Sequence, residues 1–138
     1  MDPKTKIDRD RDRLELIQEH CLSAMEHVEV FERISKMDIA PSDRLSLSKM
    51  SYDGTLMRLS QIGEEASRLT PAFRDASGHE IQWDQIRALR NIIVHDYHNV
   101  DHDLIVKIVK EDLDPLLDFC AKELGLDDPS PDRGAPGR

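Results

Sequence analysis

Aromatic side chains are scarce in this chain: one tryptophan, two tyrosines and three phenylalanines in 138 residues. No stretch reads convincingly as a strand, by alternation of apolar and polar residues or otherwise. With charged residues at 34%, these lacks point away from sandwiches and barrels and toward a helical bundle. No apolar run approaches the roughly 18 residues of a membrane span, and the opening "MDPKTKIDRDRDR" lacks the apolar segment of a signal peptide. The expected location is the cytoplasm. Cysteine is nearly absent too. Cys21 and Cys120 stand far apart with no CxxC context, so they read as buried thiols on helices, a disulfide or reactive thiol being the lesser reading. Positive charge is in deficit, with a formal net charge of −9. That argues against a general nucleic-acid coat, which needs a broad basic face, but leaves room for a small site that handles a few nucleotides. Hydrophobic residues at 38% fall below the usual globular share, so the core is expected to be thin or shared with a partner subunit. The length fits one domain.

What is present is helical periodicity. Leu14, Ile17, Cys21, Ala24, Met25, Val28, Phe31 and Ile34 recur at i, i+3, i+4 spacing and predict one long amphipathic helix over residues 8–36. Pro41 then breaks the pattern, with Ser42 or Asp43 as cap of a second helix over 43–69. Leu45, Met50, Leu56, Leu59, Ile62, Ala66 and Leu69 form its expected apolar set. Gly54 and Gly63 cost that helix some stability, and one of them is expected to mark a close helix–helix approach. Thr70 with Pro71 starts a short helical turn. A third main helix starts near Trp83, carries Ile86, Leu89, Ile92 and Ile93 inward, and ends near 97–99. Asp101 caps a last helix, which Pro115 kinks or interrupts. Residues 1–124 thus form one all-α domain, a four-to-five-helix up-and-down bundle. Residues 125–138, rich in proline, glycine and aspartate, are expected to be a disordered tail.

The densest chemistry lies in "RALRNIIVHDYHNVD", Arg87 to Asp101. On a helical wheel Asn91, His95 and His98 share a face, while Arg90 and Tyr97 share the neighbouring one. Arg90 and His95 are about 140° apart on a straight helix. They converge only if the helix ends or unwinds near His95, or if two subunits build the site. These residue types suit metal-free cleavage of an RNA backbone. A histidine near neutrality can take the proton of a 2′-hydroxyl or deliver one to the leaving oxygen. An arginine fork can neutralise the phosphorane, and Asn91 can orient His95 or donate to phosphate. Two other readings stay open. An Arg–His pair at a helix end is often an ordinary salt-bridged or capping pair. His95, His98 and His102 with Asp96, Asp101 and Asp103 are candidate metal ligands, although they straddle a helix break and no HExxH-like cluster accompanies them. His20, His27 and His79 are scattered and read as surface or core histidines. The "RDRDR" run reads as ordinary helix surface.

"IGEEASRLTPAFR" followed by "IQWDQIRALRNIIVHDYHNVDHDLIVKIVKEDL", together with the "RDRDRLELI" opening, resembles the HepT-like branch of the HEPN superfamily. These are the toxin halves of bacterial HEPN/MNT toxin–antitoxin pairs. The resemblance spans residues 9–119 and rests on several elements in order, with Trp83 four residues ahead of Arg87 and Arg90-Asn91-x3-His95-x-Tyr97 at its centre. It implies a HEPN-like helical homodimer that cleaves RNA in a cleft between subunits and needs no metal or other cofactor. Carried onto this chain, Arg90 and His95 are the catalytic pair and Asn91 the supporting polar residue; Asp96 and His98, from the same stretch, are the further supporting candidates. Tyr97 holds the position that a cognate MNT-type nucleotidyltransferase antitoxin modifies with AMP. The chain departs from the family at His98 and Asn99, where an aromatic and a glycine are frequent, and at Leu89, commonly methionine. The alternative function is a non-enzymatic helical dimer that binds nucleotide or serves mainly as substrate and partner of the nucleotidyltransferase.

Overall fold

The structure is a computed structural model that describes residues 5–125, so the expected tail lies, Gly125 apart, outside the described residues. The helices are α1 (Lys6–Ile34), α2 (Pro41–Arg68), α3 (Pro71–Ser77), α4 (Trp83–His95), α5 (His102–Glu111) and α6 (Leu113–Glu123), with a 3₁₀ turn at Tyr97–Asn99. Among the described residues there is no strand. The all-α expectation holds, with one arm of the bundle divided into α5 and α6.

Local chemistry accounts for the ends. Thr5 and Asp8 form a capping box at the start of α1, each side chain accepting from the other's backbone N–H. Pro41 opens α2 as its first residue rather than preceding it, and Ala40 supplies no side-chain cap. Thr70 caps α3 by accepting from the Phe73 N–H at 3.2 Å. Its own hydroxyl donates to buried Asp10 at 2.7 Å, and its N–H donates to the same carboxylate at 2.8 Å. The last arm breaks at Asp112, three residues before Pro115. Proline has no N–H to return to the Glu111 carbonyl, so the helix stops one turn upstream and restarts.

Cross-helix contacts fix an antiparallel register. Between α1 and α2, Arg13 pairs with Glu65 at 3.0 Å and Arg58 donates to His20 Nδ1 at 2.9 Å. Further along, Gly54 faces the His27 ring. Because a guanidinium only donates, Nδ1 of His20 must accept. Burial first and the Arg58 charge second hold this imidazole below its usual range. Between α2 and α4, Ser67 meets Arg87 and Glu64 meets Arg90. Arg11 reaches the carbonyls of Glu123 and Leu124, and Lys110 pairs with Glu32, which runs the last arm back along α1. The chain goes up, down, up, down.

The core lies among α1, α2, α4 and the last arm. Leu14, Ile17, Leu56, Leu69 and Ile105 are essentially fully buried. Each such residue contributes about 1.5–3 kcal/mol, against about 0–1 kcal/mol for an exposed ion pair. Packing therefore outweighs the many surface charges. Cys21 and Cys120 are free and buried. Burial pushes both thiols up, that of Cys120 to about 12. Three apolar expectations fail. Leu45 is 72% exposed, Met50 67% and Ile92 52%.

Candidate active site at the end of α4

Two contacts anchor α4. Trp83 Nε1 donates to Ser77 Oγ at 2.8 Å, while the Trp83 ring packs edge-on against Phe119. One turn past Ile86 the helix lies directly against Gly63 of α2. A Cβ built at that glycine would collide with Arg90 Cβ and fall 3.1 Å from the Ile86 carbonyl oxygen. Only a residue without a side chain allows that approach. From this contact the Arg90 guanidinium reaches Glu64 Oε2 at 3.1 Å and Asn91 Oδ1 at 3.1 Å. Asn91 is thus engaged with Arg90 and makes no hydrogen bond to His95.

The helix stops immediately after His95. The Asp96 N–H still donates to the Ile92 carbonyl at 2.8 Å, but its backbone at φ −138°, ψ 42° leaves the helix. His95 is therefore the last helical residue. Its imidazole is exposed and makes no hydrogen bond, ion pair or ring contact among the described residues. Asp96 is the stop, just ahead of the expected end near 97–99. Its carboxylate then accepts from Asn99 Nδ2 at 2.7 Å, closing the 3₁₀ turn. Asp101 caps α5, as expected, by accepting from the N–H groups of Asp103 and Leu104.

Tyr97 lies in that turn and is 41% exposed. Its hydroxyl donates to Asp53 Oδ1 on α2. That hydrogen bond first, then desolvation and the Asp53 charge, hold the phenol above its usual range. His98 stands edge-on to the Tyr97 ring at 5.5 Å. Behind it lies a second aromatic group, where His102 stacks on Tyr52 at 4.2 Å and sits 4.8 Å from Phe31. His102 is committed to these rings and does not join His95 and His98 as a ligand set. Among the described residues, no group of three or more His, Cys, Asp or Glu is placed to hold a metal ion.

One chain thus gathers Arg90 with Asn91 and Glu64, and Tyr97 with His98 and Asp53. Arg90 and His95 make no polar contact with each other, since α4 stays helical through His95. Asp53 and Glu64 carry interactions that local spacing did not reveal. Asp53 is 44 positions from Tyr97, and only the α2–α4 register places them together. A groove of ≈ 610 Å³ runs on another side of α4, lined by Leu89, Ile92, Ile108 and Pro115 among others. It is mostly apolar and contains neither Arg90 nor His95.

An antiparallel helical bundle with polar residues crowded at one helix end is the class this architecture defines. Residues 24–123 match the family described as "Ribonuclease HepT-like", and the chain belongs to that family. It is 30% identical over 98 residues to a Methanocaldococcus jannaschii protein named "Gamma-glutamylcyclotransferase and putative RNase", covering 71% of this chain and 43% of that protein. It is 35% identical over 66 residues to another protein of that organism named "Putative RNase", covering 48% of this chain and 60% of the relative. The chain thus spans less than two thirds of either relative's length. No solved structure matches. No helix among the described residues is long and apolar enough to cross a membrane.

Proposed function

We propose that this chain is the toxin of a toxin–antitoxin pair, a metal-independent endoribonuclease silenced by AMP transfer to Tyr97 from an MNT-type nucleotidyltransferase. The observation that carries the reading is the stop at Asp96. It leaves His95 exposed at the end of the helix that holds Arg90, with Tyr97 two residues beyond. Family membership supports it, as do the relatives' names. His95 exchanges the proton with the 2′-hydroxyl or the leaving oxygen, and Arg90 neutralises charge on the phosphorane. Arg90 and His95 lie on different faces of α4, so a homodimer with each subunit completing the other's cleft brings them to one phosphate. The apolar groove beside Ile92 is consistent with a surface that a second copy covers. AMP on Tyr97 adds bulk and negative charge beside His95, which obstructs and repels an incoming RNA phosphate.

The alternative is a helical dimer that binds nucleotide or acts chiefly as the nucleotidyltransferase's substrate. The net charge of −9 and the pairing of Arg90 with Glu64 favour it. Purified chain is expected to cleave RNA in the presence of EDTA, and incubation with the nucleotidyltransferase and ATP is expected to stop it. Tyr97→Phe is expected to keep cleaving after the same incubation. Silencing of that variant would mean neutralisation by binding rather than modification, and an inactive parent would leave the binding module as the better description.

A further inference from the structure

The chain contains two tyrosines, placed near each other and treated in opposite ways. The Tyr52 hydroxyl is buried and has no hydrogen-bond partner, and His102 covers its ring. Tyr97 is an exposed residue, and its hydroxyl donates to a carboxylate from another helix. A tyrosine that only anchored a turn would be served equally well by a backbone carbonyl or an amide. A carboxylate supplies something more, a base already in contact with the phenolic proton.

We propose that Asp53 is the proton acceptor for nucleotidyl transfer to Tyr97, a base carried by the modified protein itself. The proposal rests on the reading of Tyr97 as the AMP acceptor. In the transfer, Tyr97 Oη attacks the α-phosphorus of ATP held by the nucleotidyltransferase. The Oη–phosphorus bond forms, and the bond from that phosphorus to the bridging oxygen breaks. Pyrophosphate leaves with the electron pair, and the phenolic proton passes to Asp53 Oδ1 and then to solvent. The need for a base arises from the environment of the phenol. Its hydrogen bond to Asp53 and the nearby negative charge favour the neutral form, so the proton leaves during the transfer rather than before it.

Geometry supports the assignment twice over. Asp53 lies on α2, whose register with α4 is set by the close approach of Gly63 to Arg90 Cβ and the Ile86 carbonyl. The turn that carries Tyr97 is closed by the Asp96–Asn99 hydrogen bond. Acceptor and base are therefore each fixed by structure independent of their own hydrogen bond. The arrangement has a consequence for the product. O-substitution of Tyr97 removes the donor, and it sets an anionic phosphodiester beside the Asp53 carboxylate. The tie between the turn and α2 is lost with the same step that installs the nucleotide.

Asp53→Asn separates a base from a tether, because the amide oxygen still accepts from the phenol while the group no longer takes a proton. Parent, Asp53→Asn and Asp53→Ala are incubated with the nucleotidyltransferase and ATP. The adenylyl mass gain at Tyr97 is followed over time by peptide mapping, with helicity and thermal midpoint as folding controls. Both variants are expected to be modified about 10²-fold more slowly than the parent. The parent's rate is expected to stay level across neutral pH, and that of Asp53→Asn to climb by about tenfold per pH unit as phenolate replaces the missing base. Modification of Asp53→Asn at the parent's rate overturns the proposal, since a tether or a base on the nucleotidyltransferase then suffices. Failure of the parent itself to gain an adenylyl group overturns the reading of Tyr97, and this inference with it. The two failures are told apart by whether they appear in the parent or only in the variant.

Discussion

His95→Ala is expected to reduce RNA cleavage by about 10²–10⁴-fold, the contribution usual for a positioned general acid or base. Arg90→Ala is expected to cost about 10²–10³-fold through loss of charge stabilisation on the phosphorane. Neither change should disturb the fold. The imidazole of His95 makes no contact that supports packing, and the Arg90–Glu64 pair is partly exposed, with side-chain accessibilities of 33% and 39%. A pair in that setting stabilises by about 0–1 kcal/mol. The measurement is initial cleavage rate on a single-stranded RNA with EDTA, beside circular dichroism and sedimentation of each variant. Either variant cutting at the parent's rate sinks the catalytic assignment. Mixing the two inactive variants offers a further check on the shared cleft. If each subunit completes its partner's site, heterodimers carry one intact Arg90 with one intact His95, and activity returns. Recovery there requires dimerisation and excludes a site built within one chain.

Gly63→Ala should destabilise the protein by about 1–3 kcal/mol, the range for forcing a methyl group into a filled contact. That corresponds to a fall in Tm of roughly 4–12 °C. The reason lies in which atoms oppose the new methyl. At Gly63 they are Arg90 Cβ and the Ile86 carbonyl oxygen, part of the α4 framework, so the helix itself has to move. Gly54→Ala is the natural comparison. Its methyl would meet Cδ2 and Nε2 of His27, the outer edge of a ring that can swing aside after giving up its Nδ1 contact with the Ser23 carbonyl. The smaller loss is expected there. Equal Tm values for the parent and Gly63→Ala would show that α4 does not depend on this approach. A displaced α4 also shifts Arg90 relative to Glu64, so RNA cleavage should fall with stability.

Much of the fold is legible in the sequence because it depends on neighbours three and four residues apart. The i, i+3, i+4 stripe from Leu14 to Ile34, the Thr70-Pro71 start and the Asp101 cap are all local signals, and the structure contains each of them. Leu45 and Met50 fit the same helical periodicity yet face solvent. Periodicity says which face a residue is on, not whether another helix lies opposite. In the antiparallel register α4 ends near the level of Asp53, so α4 does not cover the first turns of α2. Ile92 fails in a related way, since the wheel assigns it inward and it borders an open groove instead.

The site divides along the same line. Arg90, Asn91, His95, Asp96, Tyr97 and His98 are visible as a crowded stretch, and the family match covers them all. Asp53 and Glu64 are not visible as partners, because no short-range pattern links α2 to the end of α4. Of the two, Glu64 falls within the "IGEEASR" element of the resemblance, whereas Asp53 sits in ordinary helix. The wheel does show that Arg90 and His95 diverge. A helix that ends at His95 alone does not bring them together, because the angle accrues over the turns before the stop.

The joint between α4 and α5 leaves no spare chain. Asp96 ends one helix, Asn99 ties back to it, and Asp101 begins the next. A single inserted residue within that span would change the spacing on which the Asp96–Asn99 tie and the Asp101 cap depend. The placement of Ile105 and Val109, now fully inside, rests on that spacing. This elbow fixes length as strictly as a core fixes volume. Substitutions between Asp96 and Asp101 keep that length, whereas insertions there disturb the seat of the last arm.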